Sequence, residues 1–245
     1  MLDADVHQAC GLWGLASPTV PRLVAVVSHG QRQIELPMLW SLCSAWDSMG
    51  LSVLVLDGMT PETNDNPGLL QLLNNLHLHF DQDNFSELWG VMPATLGLEF
   101  LSNNPTTYDM LGHIFGNYGV VLIYTHATLL PQMFRDTSLS PLVLLTSQTS
   151  SSISAYRVIK HLLLYERLRP TVANIALMSN VDTVMNSSLH HLQHCTQTFL
   201  GFHPDALTIR AARQDGRTED DIQRLALQLL ENSVELHDDE AGVLH

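Results

Sequence analysis

The sequence predicts an α/β fold: a single domain built on a mostly parallel β-sheet with helices on both faces. Three observations predict it. Short apolar, β-branched runs recur along the chain and alternate with amphipathic stretches, the pattern of βαβ units wound into a parallel sheet. The runs end in polar loops, as strands do where an open sheet presents its ligand-facing edge. The 245 residues are 45% hydrophobic and 15% charged, which is enough to bury one sizeable core.

Residues 23–27 form the first compact apolar run. Leu36, Leu39, Trp40, Cys43, Trp46 and Met49 then recur at helical spacing, with Pro37 suited to a first helical turn and Gly50 to a C-terminal stop. Residues 52–56 form a second buried strand ending at Asp57-Gly58; residues 120–123 and 142–145 repeat the type, and 175–178 add another. Residues 98–101 read as a further short strand. Helices are expected over 106–115, 154–167, 187–199 and 218–236. Residues 61–67 and 102–107 are rich in Pro, Asn and Thr and read as loops, and the Ser/Thr run 146–154 reads as a loop and helix cap.

Charge narrows the function classes. Twenty-five acids against eleven Lys and Arg give a formal charge of −14, a field that repels nucleic acid and anionic lipid. The three cysteines, Cys10, Cys43 and Cys195, show no paired spacing, and no basic-then-apolar leader precedes Arg22, so a reducing cytoplasm is expected. No apolar run approaches the roughly 18 to 20 residues that span a bilayer, so direct membrane insertion is not expected. The helix expected over 218–236 carries Ile222, Leu225, Ala226, Leu229 and Leu230 on one face and is flanked by acids, which opposes a lipid-binding use and favours packing against the sheet.

The segment from Val27 to Pro37 sits between a strand and a helix, as a phosphate loop does, but its chemistry differs. A phosphate loop needs unobstructed backbone N–H groups, a Lys for phosphate oxygens and a Ser or Thr for Mg²⁺. Here those places hold bulk, an acid and Leu.

With these elements in order, the chain resembles the MinD/ParA family of deviant-Walker ATPases, and within it the flagellar-number regulators FlhG or FleN. The resemblance rests on strand order and on three segments. The stretch from Ser28 stands where the family has Ser-Gly-Lys-Gly-Gly-Val-Gly-Lys-Thr; 53–57 is similar to its Val-Leu-Leu-Leu-Asp strand, and 118–125 to its second acidic strand. Residues 154–160, Ser-Ala-Tyr-Arg-Val-Ile-Lys, look like a helix start common in FlhG proteins. His7-Gln8-Ala9-Cys10-Gly11-Leu12-Trp13 is similar to the Asp-Gln-Ala-x-Gly-Leu-Arg segment with which that branch engages the GTPase FlhF. Gln8, Ala9, Gly11 and Leu12 are kept, His7 replaces the acid and Trp13 the Arg. The resemblance thus implies a partner-binding segment over 1–20, a P-loop NTPase-like domain over 21–236 and a tail over 237–245.

It also exposes departures. His29 opens the loop; Gly30 falls at the family's signature Lys, Gln31 and Arg32 at two glycines, Gln33 beside them, Ile34 at a third glycine, Glu35 at the phosphate-binding Lys and Leu36 at the Mg²⁺-binding Thr. Exchanging Lys for Glu turns an attraction of several kcal/mol into repulsion of similar size at an effective dielectric of about 20. Asp57 remains, but Met59 stands at the catalytic acid, Tyr124 at the Mg²⁺-linked Asp, and His126-Ala127-Thr128 replaces Gly-Ala-Gly. Coordinated loss of these parts removes phosphoryl-transfer chemistry.

The expectation is a pseudo-ATPase with no catalytic residue and no cofactor, acting as a protein-binding regulator through an FlhF-like GTPase or another polar assembly factor. Without ATP to bridge subunits, a monomer or an ATP-independent dimer follows, recruited to a pole or membrane face only by a partner. A second reading is a degenerate MinD-like subunit of a secretion, pilus or exopolysaccharide system. A third is a metal-dependent enzyme using His190 and His194, one turn apart beside His191 and Cys195, with His77, His79, Asp81 and Asp83 elsewhere. No His-Glu-x-x-His motif accompanies them, so a metal site is not expected.

Overall fold

Strand order decides where the loops of this protein converge. The computed structural model describes residues 20–74, 89–104, 110–130, 134, 137–177, 184–211 and 216–236. The strands are β1 (Arg22–Ser28), β2 (Val53–Asp57), β3 (Trp89–Pro93), β4 (Val120–His126), β5 (Leu142–Thr146), β6 (Thr171–Leu177), β7 (Ala206–Ala211) and β8 (Val234–Glu235). They form one sheet in the order β3-β2-β4-β1-β5-β6-β7, with β8 against β1. All pairings are parallel except β8, which runs antiparallel with Leu23 opposite Val234. Strand β1 pairs with β5 only at Val26 and Val27, and β8 takes up the N-terminal part of β1.

Alternation along the strands makes two apolar faces. On β1, Val24 and Val26 belong to one cluster and Leu23, Ala25 and Val27 to the other. The first face is covered by α1 (Arg32–Ser48) and α7 (Gly216–Glu231). The second is covered by α2 (Leu69–Asn74), α3 (Thr95–Asn103), α4 (Met110–Phe115), α5 (Thr149–Glu166) and α6 (Val184–Leu200). Helix α7 docks as its apolar face dictates: Leu225, Ala226 and Leu229 are buried, and the Trp46 indole on α1 donates to the Ala226 carbonyl at 3.1 Å. Cys43, on the same face of α1, is buried, and burial pushes its thiol up to about 12, so it stays protonated at neutral pH.

Several sequence expectations are corrected here. Residues 98–101 are not a strand; they lie within α3, where Leu98 and Leu101 are buried one turn apart, a spacing too short for a four-residue run to reveal. Ser102 and Asn103, read as loop, extend that helix. Pro37 lies inside α1 rather than in its first turn, because the helix already starts at Arg32. The last helix ends at Glu231, and Val234 and Glu235 form β8 instead. Strands β3 and β7 were not anticipated: β3 contains Gly90, ends in Pro93 and leaves Val91 exposed at the sheet edge, so no buried run marks it.

Asn174 is buried on β6, and neither its amide nitrogen nor its amide oxygen has a partner among the described residues. An unpaired buried amide costs about 1–3 kcal/mol. Asn174→Leu, of similar shape, is therefore expected to raise the unfolding free energy by about 1–3 kcal/mol, measured by denaturant titration; a loss of stability would show that a water or ligand satisfies the amide.

Candidate functional site

The order of the strands reverses around β1, which lies between β4 and β5, so the β1–α1 loop opens at the topological switch point of the sheet. That loop, His29 to Gln31, carries Gly30 at φ 91°, a left-handed conformation that glycine adopts at little cost. Helix α1 starts after Gln31, whose side chain provides no cap. The loop N–H groups that lead into the helix therefore need an acceptor from a side chain.

Glu35 supplies it. The residue sits in the first turn of α1, fully buried, with its carboxylate turned back under the loop. Oε1 accepts from the His29 N–H at 3.0 Å and the Gln31 N–H at 3.2 Å; Oε2 accepts from the Ser28 hydroxyl at 2.8 Å and the Tyr124 phenol at 2.5 Å. Ser28 in turn accepts from the Gly30 N–H at 3.4 Å. Four donors thus converge on one carboxylate at a helix N-terminus, an arrangement suited to an anion and here filled by the chain itself.

Burial alone would raise the Glu35 carboxyl, but the hydrogen bonds from Tyr124, the His29 amide and Ser28, with the His29 ring nearby, outweigh it and hold the group below its ordinary value. Tyr124 is shifted the other way: burial, then its bond to the Glu35 carboxylate, pushes the phenol up. The pair is thus a carboxylate and a neutral phenol at pH 7.

His29 fixes the third side. Its ring is nearly fully buried, with Nε2 2.8 Å from the Leu144 carbonyl on β5 and Nδ1 3.6 Å from Glu35 Oε1. Tyr124 comes from β4 and Leu144 from β5, so the network ties the loop to both neighbours of β1.

The other residues singled out in the sequence lie around this centre. Arg32, about half exposed, reaches Asp57 Oδ2 at 3.6 Å rather than Glu35. Asp57 closes the turn after β2, accepting from the Met59 N–H at 2.9 Å and the Thr60 hydroxyl at 2.6 Å. Met59 and Ile34 pack on the α1 face of the sheet, whereas Gln33, Leu36 and His126 are exposed. Glu35 and Tyr124 do not rim an open cleft; both are buried and bond each other. Gln8, Ala9, Gly11, Leu12 and Trp13 lie outside the described residues, as do His77, His79 and the 237–245 tail. His190 and His194 are exposed on α6, and no group of three or more His, Cys, Asp or Glu among the described residues could hold a metal ion.

Sequence reasoning missed Glu62. Its buried carboxylate accepts from the Leu70 N–H of α2 and from the Leu96 and Gly97 N–H groups of α3, joining two helix N-termini beside the Asp57 turn. A lone acid in a Pro- and Asn-rich loop carries no signal of this, because both helices it caps lie further along the chain. Glu62→Ala strands three amides and is expected to cost about 2–4 kcal/mol by denaturant unfolding.

No protein-family model matches the chain, and no curated protein does. Solved structures do match. A chain of the MinC:MinD cell division protein complex of Aquifex aeolicus is similar over 88% of this chain and 98% of its own, at 14% identity and a TM-score of 0.57. Cobyrinic acid a,c-diamide synthase of Mycobacterium smegmatis, solved with an ATP analogue and magnesium, is similar over 86% and 95%, at 16% identity and a TM-score of 0.53. The pNOB8 ParA protein bound to nonspecific DNA is similar over 87% and 99%, at 14% identity and a TM-score of 0.52. The fold is therefore that of the MinD/ParA-like P-loop NTPases. No helix among the described residues is long and apolar enough to cross a membrane.

Proposed function

We propose that this protein is a catalytically inactive MinD-like scaffold that works by binding other proteins, and that its phosphate loop is closed by its own carboxylate. The observation that carries this reading is the Glu35 network. In the family the loop offers its N–H groups to a nucleotide's phosphates; here the His29 and Gln31 N–H groups, Ser28 and Tyr124 are already spent on Glu35. A triphosphate would have to displace a buried anion and then sit beside it, where like charges repel by several kcal/mol at an effective dielectric of about 20. Tyr124 stands at the Mg²⁺-linked position of the resemblance and donates to Glu35, so it is a poor metal ligand as a neutral phenol.

The finer reading, control of flagellar number or placement through an FlhF-like GTPase, rests on Gln8, Ala9, Gly11 and Leu12. The MinC:MinD complex is a precedent for a protein partner on this fold. Calorimetric titration with ATP and ADP in the presence of Mg²⁺ tests the inactive reading: no heat of binding is expected at sub-millimolar nucleotide, and saturable binding would overturn it. Pull-down with an FlhF-type GTPase, comparing Gln8→Ala and removal of residues 1–15 with wild type, tests the partner; equal capture by all three would reject it.

A further inference from the structure

On a chain of net charge −14, residues 149–165 contain no acid at all, although α5 covers that span. Four of the eleven Lys and Arg residues fall between positions 157 and 169, namely Arg157, Lys160, Arg167 and Arg169, and all four are exposed. Helical spacing puts Ile153, Arg157, Lys160 and Leu164 on one outward stripe, opposite the buried Ala155, Ile159 and Leu162, and Arg167 follows just past the end of the helix. Ile153 is 50% exposed and Leu164 58% exposed, and Tyr165 stands beside the stripe at 68%, its ring centroid 5.0 Å from that of His161 and tilted against it. The attraction of cations to a helix C-terminus accounts for Arg167 and Arg169, but it falls off within the last turn and leaves Arg157 and Lys160 without a reason. Arg167 also holds a left-handed conformation at φ 58°, where glycine is the usual choice, so a guanidinium is kept at a backbone cost.

We propose that this stripe docks an acidic amphipathic helix of a partner protein, a proposal that rests on the reading of the chain as a protein-binding scaffold. Charge complementarity selects the acids, and the bare Ile153 and Leu164 select apolar side chains beside them. The two apolar positions are eleven residues apart, about 16 Å along the helix, with the basic residues between them. A partner helix that repeats this spacing with Glu opposite Arg157 and Lys160 buries both apolar pairs and pairs both charges. Duplex DNA meets the positive charges but offers Ile153 and Leu164 no apolar side chains, and vesicle binding separates an anionic membrane from a protein helix.

The test uses the full-length protein and an acetylated, alanine-rich peptide carrying Leu and Glu in the mirrored spacing, with a second peptide in which Lys replaces each Glu. Fluorescence anisotropy should show saturable binding of the acidic peptide, no binding of the basic one, and severalfold weaker binding at high salt. R157E/K160E and L164S, all at exposed positions and checked for an unchanged melting temperature, should each weaken the acidic peptide about tenfold or more. Absence of acidic-peptide binding, or affinity unchanged in both variants, overturns the proposal. So does binding of duplex DNA or phosphatidylglycerol vesicles that R157E/K160E abolishes, which would assign the stripe to a polyanion. Because the variants leave the Glu35 network intact, Mg·ATP titration of the same proteins reports separately: nucleotide binding would remove the inactive reading, and peptide failure alone would remove only the stripe.

Discussion

Glu35→Ala is expected to destabilise the fold by about 3–5 kcal/mol, a large share of the roughly 5–15 kcal/mol that holds a domain folded. The carboxylate is fully buried and accepts from four donors; without it two loop amides and two hydroxyls lose their acceptor together. The carboxyl is held below its ordinary value although burial alone would raise it, so these bonds outweigh the cost of burying the charge. Denaturant unfolding measures the loss. Formate, small enough to re-enter the vacated space, should raise the melting temperature of Glu35→Ala and leave wild type unchanged.

Linkage gives the same network a pH signature. Glu35 is lowered on folding, so its contribution is present above the unfolded value near 4.5 and fades as pH falls from there through the folded value. Tyr124 is raised, so its contribution is full below the unfolded value near 10 and fades as pH rises beyond it. Tyr124→Phe should blunt the alkaline loss of stability and, because the phenol donates to the carboxylate and helps hold it below its ordinary value, should also shrink the acid limb; an unchanged alkaline limb would count against the pair.

Trp46→Ala should cost about 3–5 kcal/mol, through loss of the most voluminous buried side chain of the α1 face and the cavity that remains. Trp46→Phe separates the two contributions. It fills most of the space but leaves the Ala226 carbonyl without its indole donor, a loss of about 1–3 kcal/mol. Denaturant unfolding of both variants should show the alanine change to be the larger. Because Trp46 ties α1 to α7 at the end of the helix remote from the loop, neither change should alter nucleotide behaviour.

Buried runs made most of the sheet legible in advance. Strands β1, β2, β4 and β5 carry unbroken apolar sequence because both faces are covered, and each was placed within two or three residues. The edges were harder. Strand β7 alternates Leu207 and Ile209 with Thr208 and Arg210, and β3 exposes Val91, so neither carries the continuous run that marks the centre. At the site, the sequence placed Glu35 in the phosphate loop and Tyr124 beside it, but not their bond, since the rotation that turns a first-turn acid back under its own loop is set by β4 packing alongside. Glu62 was invisible for the same reason: its partners are amides far along the chain.

The central claim is that the Glu35 carboxylate holds the place a nucleotide phosphate takes in the family's active members. The most direct measurement follows the amide resonances of His29, Gly30 and Gln31 in the nitrogen-labelled full-length protein while Mg·ATP is added to millimolar concentration. Unmoved resonances, with the His29 and Gln31 amides still protected from exchange, are the predicted result. Saturable shifts concentrated on those three amides would contradict it.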